Sequence, residues 1–198
     1  EGRELRGYQD QITAALVKNR MPEEAERGLM HWYDEESQER YLEFLFKTPI
    51  SSDDNLIIYE GEVDEDDYIS WKPVEITISQ DFTILEDEFD IKLHKTIVDY
   101  FNSYWFADLD GFYKEHYITL EHVLPNTEIC SFRESLKGYK KNHGDSLEKI
   151  PIGIEGNGLL VVIENNSGII QLEDFERGTF DNIAENIQEL IGNFRLKR

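Results

Sequence analysis

KIPIGIEGNGLLVVIENNSGIIQLEDF, residues 149–175, is the stretch whose reading decides the fold. It reads as strand IPIGIE, turn GNG, strand LLVVIE, turn NNSG and strand IIQLEDF. Asn and Gly accept positive φ at little cost, so Asn165, Asn166, Ser167 and Gly168 make good hairpin chemistry. Gly153, Gly156 and Gly158 give G-x-x-G-x-G, the wrong order for a dinucleotide fingerprint, and β text follows where a phosphate-holding helix would be needed. A tight hairpin turn is the reading. Next comes FDNIAENIQELIGNF (residues 180–194), which predicts a closing helix capped by Asp181, with Ile183, Ile187, Leu190, Ile191 and Phe194 as its core stripe.

Working back from there, FRESLKGYKKNHGDSL (132–147) reads as a helix and a polar loop, and YITLEHVL (117–124) as a strand. FDIKLHKTIVDYFNSYWF (89–106) places Leu93, Ile97, Tyr100, Phe101 and Tyr104 at helical spacing, a helix buried on one side. NLIIYEGEV (55–63) is β-rich. ISWKPVEITIS (69–79) alternates Trp71, Val74, Ile76 and Ile78 imperfectly, with Pro73 demoting its first half to an edge or turn. The first 46 residues read as helices: one with Tyr8, Ile12, Ala15 and Leu16 on its apolar face, one starting at Pro22, and one over 36–46. Meander connections rather than βαβ alternation predict an α+β domain over 47–198, its mainly antiparallel sheet flanked by helices, with a helical extension over 1–46.

Composition bounds the rest. The 198 residues are 39% hydrophobic and 12% aromatic, enough for a substantial core. Cys130 is the single cysteine, so no intrachain disulfide forms, and a buried thiol is expected. No run reaches transmembrane length and no charged-then-apolar leader opens the sequence, which predicts a soluble cytoplasmic protein. The first residue is Glu1 rather than Met, as when a preceding segment is missing.

The charge is unevenly distributed. Between Asp34 and Asp90 lie nineteen acidic residues against three basic ones, −16 of the chain's −22. The densest part is EGEVDEDDY (60–68), echoed by LEDEFD (85–90). Like charges held close repel one another, so folding alone gives little reason to gather them, whereas a basic partner does. A solvated loop is the alternative. Tyr59, Tyr68, Trp71, Phe82 and Phe89 are interleaved with the acids, and aromatic anchors beside charges suggest a protein interface rather than an acidic tail. The sign argues against direct nucleic-acid binding, which needs cations to displace phosphate counterions. Glu62, Asp64, Glu65, Asp66, Asp67, Glu86, Asp87 and Glu88 are the candidate contacts.

No catalytic or cofactor constellation emerges. His116 and His122, with Glu115 and Glu121 beside them, form at most a weak metal set, and no HExxH or close Cys–His set occurs. Residues 64–75 lack the central glycine of a calcium loop. Asp64/Asp66 and Glu86/Glu88 are paired only in sequence. Ser167 has no G-x-S-x-G around it, and no G-x-x-x-x-G-K-[ST] occurs, so P-loop chemistry is excluded. No metal, cofactor or catalytic residue is expected.

The order of these elements resembles the SUKH superfamily, whose members carry a strand with PIG, a glycine-rich turn, an acidic strand, a second hairpin and a closing helix. Ser70, Trp71, Lys72 and Pro73 resemble the YWQP of its Syd branch, and residues 89–107 are similar to that branch's helix. The resemblance covers residues 57–194; residues 1–46 have no obvious counterpart, and 137–147 do not align. It implies a non-enzymatic binding protein in which Trp71 packs in the core. Syd proteins are cytosolic and engage the basic cytoplasmic loops of the SecY translocon, which would place this chain at the inner face of the membrane through its partner. Other SUKH proteins are immunity proteins that neutralise toxins, often nucleases, and both partners are basic.

Overall fold

A computed structural model describes residues 47–50, 55–71, 73–107 and 109–195. The helices read within residues 1–46 lie outside the described residues. In chain order the elements are β1 (Lys47–Pro49), β2 (Tyr59–Glu60), β3 (Tyr68–Trp71), β4 (Val74–Glu75), α1 (Thr83–Phe89), α2 (Lys95–Phe101), β5 (Tyr104–Trp105), β6 (Leu109–Tyr113) and β7 (His116–Leu120). There follow α3 (Glu128–Asn142), β8 (Lys149–Glu155), β9 (Leu160–Glu164), β10 (Ile170–Asp174), β11 (Thr179–Ala184) and α4 (Ile187–Gly192).

Strands β6 to β11 form a six-stranded sheet in which each pairs antiparallel with the next in the chain. The fold is α+β. The sheet's centre is covered on both faces: Val161, Val162 and Ile163 are all fully buried, and successive strand residues point to opposite sides. The PIG tripeptide has a local cause. Pro151 cannot donate to a ladder, and the β8–β9 register shifts between Pro151 and Gly153. A Cβ on Gly153 would fall on the Thr119 carbonyl oxygen of β7, so only glycine lets the strands approach there. In the NNSG turn Gly168 has φ +80°. There Asn165 Oδ1 accepts from His94 N at 2.8 Å while its Nδ2 donates to Lys92 O at 2.8 Å. One hairpin turn thus fixes the start of α2.

The helices are joined by aromatic packing. Phe101 of α2 meets Phe132 of α3 at a ring-centroid distance of 4.3 Å, and Phe82, at the start of α1, contacts both. Two small sheets complete the fold, β1-β3-β2 and β4-β5, with Pro73 between β3 and β4 as a proline in that text requires.

Four expectations need correction. The helix read over 180–194 is a strand and a short helix: Asp181 sits in β11 opposite Leu172, and Asn186 is the cap, its Oδ1 accepting from Glu189 N at 2.8 Å. The pairing that β10 offers outweighs the local helical pattern, yet Ile183, Ile187, Leu190, Ile191 and Phe194 are all buried as read. The single helix over 89–106 is instead the end of α1, then α2, then β5, because Asp90 turns the chain at φ +53°. Ile78, placed in an alternating strand, is exposed. Cys130 is exposed on the first turn of α3 rather than buried.

Candidate functional site

The acidic stretch is organised by a few of its own carboxylates. Between β2 and β3 the chain reverses over residues 61–67, with Gly61 at φ +78° and Asp67 at φ +63°. Asp64 holds this turn together. Its Oδ1 accepts from the backbone N–H groups of Asp66 and Tyr68, both at 3.0 Å, and its Oδ2 takes Lys47 Nζ at 2.7 Å. The Lys47 hydrogen bond, and then the Tyr68 N–H, hold the Asp64 carboxyl below the usual aspartate range. A braced turn of this kind projects its other side chains into water. Glu62, Glu65, Asp66 and Asp67 are all exposed.

The second cluster lies on α1. Asp81 opens it, accepting from Thr83 N at 3.0 Å and from Thr83 Oγ1 at 2.6 Å, and these bonds lower its pKa. Glu86, by contrast, is buried: its Oε1 accepts from Leu93 N at 2.9 Å and its Oε2 takes Lys92 Nζ at 2.6 Å. It closes the α1–α2 turn and does not present itself to a partner. Glu88 reaches the neighbouring helix, with Arg133 Nε of α3 at 2.7 Å and Lys137 Nζ at 4.0 Å. Asp87 is exposed on the outer face.

The eight candidate carboxylates therefore divide by role. Glu62, Glu65, Asp66, Asp67 and Asp87 are surface charges, Glu88 is a surface charge tied to α3, and Asp64 and Glu86 build the turns that carry the others. The aromatic residues interleaved with them are mostly not anchors. Trp71, Phe82 and Phe89 are core residues, while Tyr59 and Tyr68 are half-buried. The apolar side chains that do reach the surface here are Ile57, Val63, Ile78 and Ile84, none of which the acidic pattern picks out. Ile78 in particular keeps the alternation of Val74 and Ile76, and nothing in the sequence marks it as exposed.

Elsewhere the ionisable groups hold structure. His116 Nδ1 lies 3.5 Å from the buried Glu155 and its Nε2 3.7 Å from Glu115. Buried Glu173 accepts from Tyr139 Oη at 2.7 Å and contacts His143 Nε2 at 2.5 Å, joining α3 to β10. Burial raises the Glu121 pKa, opposed by a hydrogen bond from Ser135. Among the described residues no three His, Cys, Asp or Glu side chains converge as a metal site. None of the described helices is long and apolar enough to cross a membrane. Chemically, the acidic arrangement offers charge attraction and hydrogen-bond acceptors.

Comparison with known proteins gives a consistent answer. The model of the Syd protein (SUKH-2) family matches residues 27–195, reaching back into the segment read as an extension. Protein Syd of Psychromonas ingrahamii is 28% identical over 134 residues, 66% of this chain and 72% of that protein. Protein Syd of Idiomarina loihiensis is 27% identical over 175 residues, 86% of this chain and 92% of that protein.

Proposed function

The chain belongs to the Syd protein (SUKH-2) family, and on that premise we propose that it is a non-enzymatic binding protein whose acidic surface engages the basic cytosolic loops of the SecY translocon. The observation that carries this reading is the braced turn of residues 61–67. Four carboxylates are exposed on a turn held by Asp64, so their mutual repulsion is borne by a fixed backbone rather than relieved by it. Loops on the cytoplasmic side of a channel are rich in Lys and Arg. A preformed acidic surface steers such loops during encounter and discriminates against acidic competitors. The protein then works in the cytoplasm and at the inner face of the membrane, held there by its partner.

The toxin-binding alternative has the same electrostatics. Both relatives described above are named Protein Syd, which favours the translocon.

Binding to SecY complexes in nanodiscs tests the proposal. The variant carrying Glu62→Gln, Glu65→Gln, Asp66→Asn and Asp67→Asn is expected to bind at least about tenfold more weakly, because charge pairs between partners are worth more than about one kcal/mol when desolvated. For the wild type, association should slow markedly from low to physiological salt, and the variant should lose much of that dependence. Wild-type affinity in the variant would remove this turn from the interface. No measurable binding by the wild type would reject the translocon as partner.

A further inference from the structure

We propose that Asn157–Gly158, in the turn between β8 and β9, is a latent deamidation site that Glu155 keeps unreactive while the turn is closed, and whose reaction in an opened turn opposes re-closure. The inference goes beyond the binding reading above and does not depend on it.

Asn is among the thermolabile residues, and a following glycine makes it most so, because no Cβ hinders the attacking backbone nitrogen. The chain contains a single Asn–Gly pair, and both of its residues are exposed. The reaction needs only water. Gly158 N forms a bond to Asn157 Cγ and gives up its proton, the Cγ–Nδ2 bond breaks, and the side-chain nitrogen leaves as ammonia with that proton. Water then opens the cyclic imide at either carbonyl. The products are an aspartate and an isoaspartate, in which the main chain runs through the former side chain.

The closed turn opposes this step at the atoms it uses. Asn157 Nδ2 donates to Glu155 Oε1 at 3.0 Å, Asn157 N to Glu155 Oε2 at 2.7 Å, and Gly158 N to Glu155 O at 2.7 Å. The attacking nitrogen therefore has its proton engaged. The leaving nitrogen donates to a carboxylate, which adds electron density to it when departure needs a further proton instead. Glu155 is itself fixed: it is 2% exposed, its N donates to Leu159 O at 2.8 Å, and it lies opposite Ile118 of β7.

The dependence is mutual. A buried carboxylate needs donors, and Asn157 supplies two of them. Deamidation removes the Nδ2 donor and sets a carboxylate oxygen against Glu155 Oε1, so like charges oppose closure of the turn. Turns open locally at lower cost than the sheet that carries them. Each opened turn that reacts is then lost to the native population, and a reversible opening becomes irreversible.

The test incubates the full chain in mildly alkaline buffer, once folded and once unfolded in guanidinium chloride, and follows residue 157 by peptide mapping and mass spectrometry. Conversion is expected to be at least about tenfold slower in the folded chain, because a hydrogen bond to a carboxylate must break first. Glu155→Gln keeps the side-chain size and turns an amide group toward Asn157. While folded by circular dichroism, it should convert about tenfold faster than wild type. Equal rates in the folded and unfolded wild type, or a folded Glu155→Gln that reacts no faster than wild type, would overturn the proposal. If Glu155→Gln does not fold, two other variants decide: Asn157→Asp should melt below Asn157→Ala, since it alone places a carboxylate against Glu155. Melting of Asn157→Asp at or above Asn157→Ala would overturn the proposal. Chains converted in denaturant should refold to a lower melting temperature than unconverted chains given the same exposure. Indistinguishable melting of the two would remove the opposition to re-closure.

Discussion

Glu86 and Asp87 are neighbours of the same charge, and their surroundings give them opposite roles. Glu86 is buried and accepts the Leu93 N–H, so Glu86→Ala leaves a buried donor without its partner and should lower stability by about 1–3 kcal/mol in urea unfolding. Asp87→Ala removes an exposed charge and should stay within about 0.5 kcal/mol of wild type. The tyrosines set the pH response. Burial, and then the Glu173 carboxylate, push the Tyr139 phenol far above its ordinary 10.0. Burial and Glu189 do the same at Tyr113, and burial dominates at Tyr100. A raised phenol favours the folded state while protonated, and its contribution is intact below the unfolded value. It is lost as pH rises from about 10 toward the folded values. Tyrosinate absorbance at alkaline pH should therefore appear together with loss of circular dichroism. Normal titration of these phenols with the fold intact would contradict the burial described. At the acid end, Asp64, Asp81 and Glu164 are depressed, so their contributions are lost below about pH 4, and being accessible to screening by water they give only a shallow limb.

The carboxy-terminal segment 179–192 shows most clearly how neighbouring strands reassign local pattern. Its apolar residues were legible as a buried set because burial follows from the side chains themselves. Its secondary structure was not, because residues 179–184 gain a ladder with β10, interrupted by one register shift, that no local signal announces. The cap moves accordingly. Asn186→Ala should cost about 1 kcal/mol, since the first turn of α4 loses its side-chain acceptor. Asp181→Ala, in an exposed part of β11, should leave stability within about 0.5 kcal/mol. Equal losses from the two substitutions would return the helix start to Asp181. The turns after β8 and β9 were legible in full, because positive φ at Gly158 and Gly168 is a property of the glycines.

At the scale of the molecule, a net charge of −22 concentrated in one stretch has a thermodynamic consequence besides binding. Glu62, Glu65, Asp66 and Asp67 repel one another on a fixed turn, and salt screens that repulsion. The variant neutralised at these four positions should melt at or above the wild-type temperature in low salt, with the difference shrinking as salt is added. A lower melting temperature for the variant at every salt concentration would mean that these side chains hold the fold rather than await a partner. Asp64→Asn, which weakens the bond to Lys47 and the brace of the turn, should behave in the opposite sense and lower stability.

Sequence by itself determined the fold class: alternation, Gly- and Asn-rich turns and apolar spacing are local properties, and they specify the antiparallel hairpins over 149–175 and the core residues of the helices. It also located the excess negative charge, since charge is additive along a chain. Tertiary structure alone decided what each carboxylate does. Asp64 and Glu86 are indistinguishable in sequence from Asp66 and Asp87, and only the arrival of Lys47, the Tyr68 N–H and the Leu93 N–H makes the first two structural. The same holds for the apolar residues of that stretch. Whether Phe82 or Ile78 faces water depends on the Phe101 and Phe132 rings that cover the one and on the turn, pinned where Gln80 N donates to Asn102 Oδ1, that lifts the other clear, and neither contact is local in the chain.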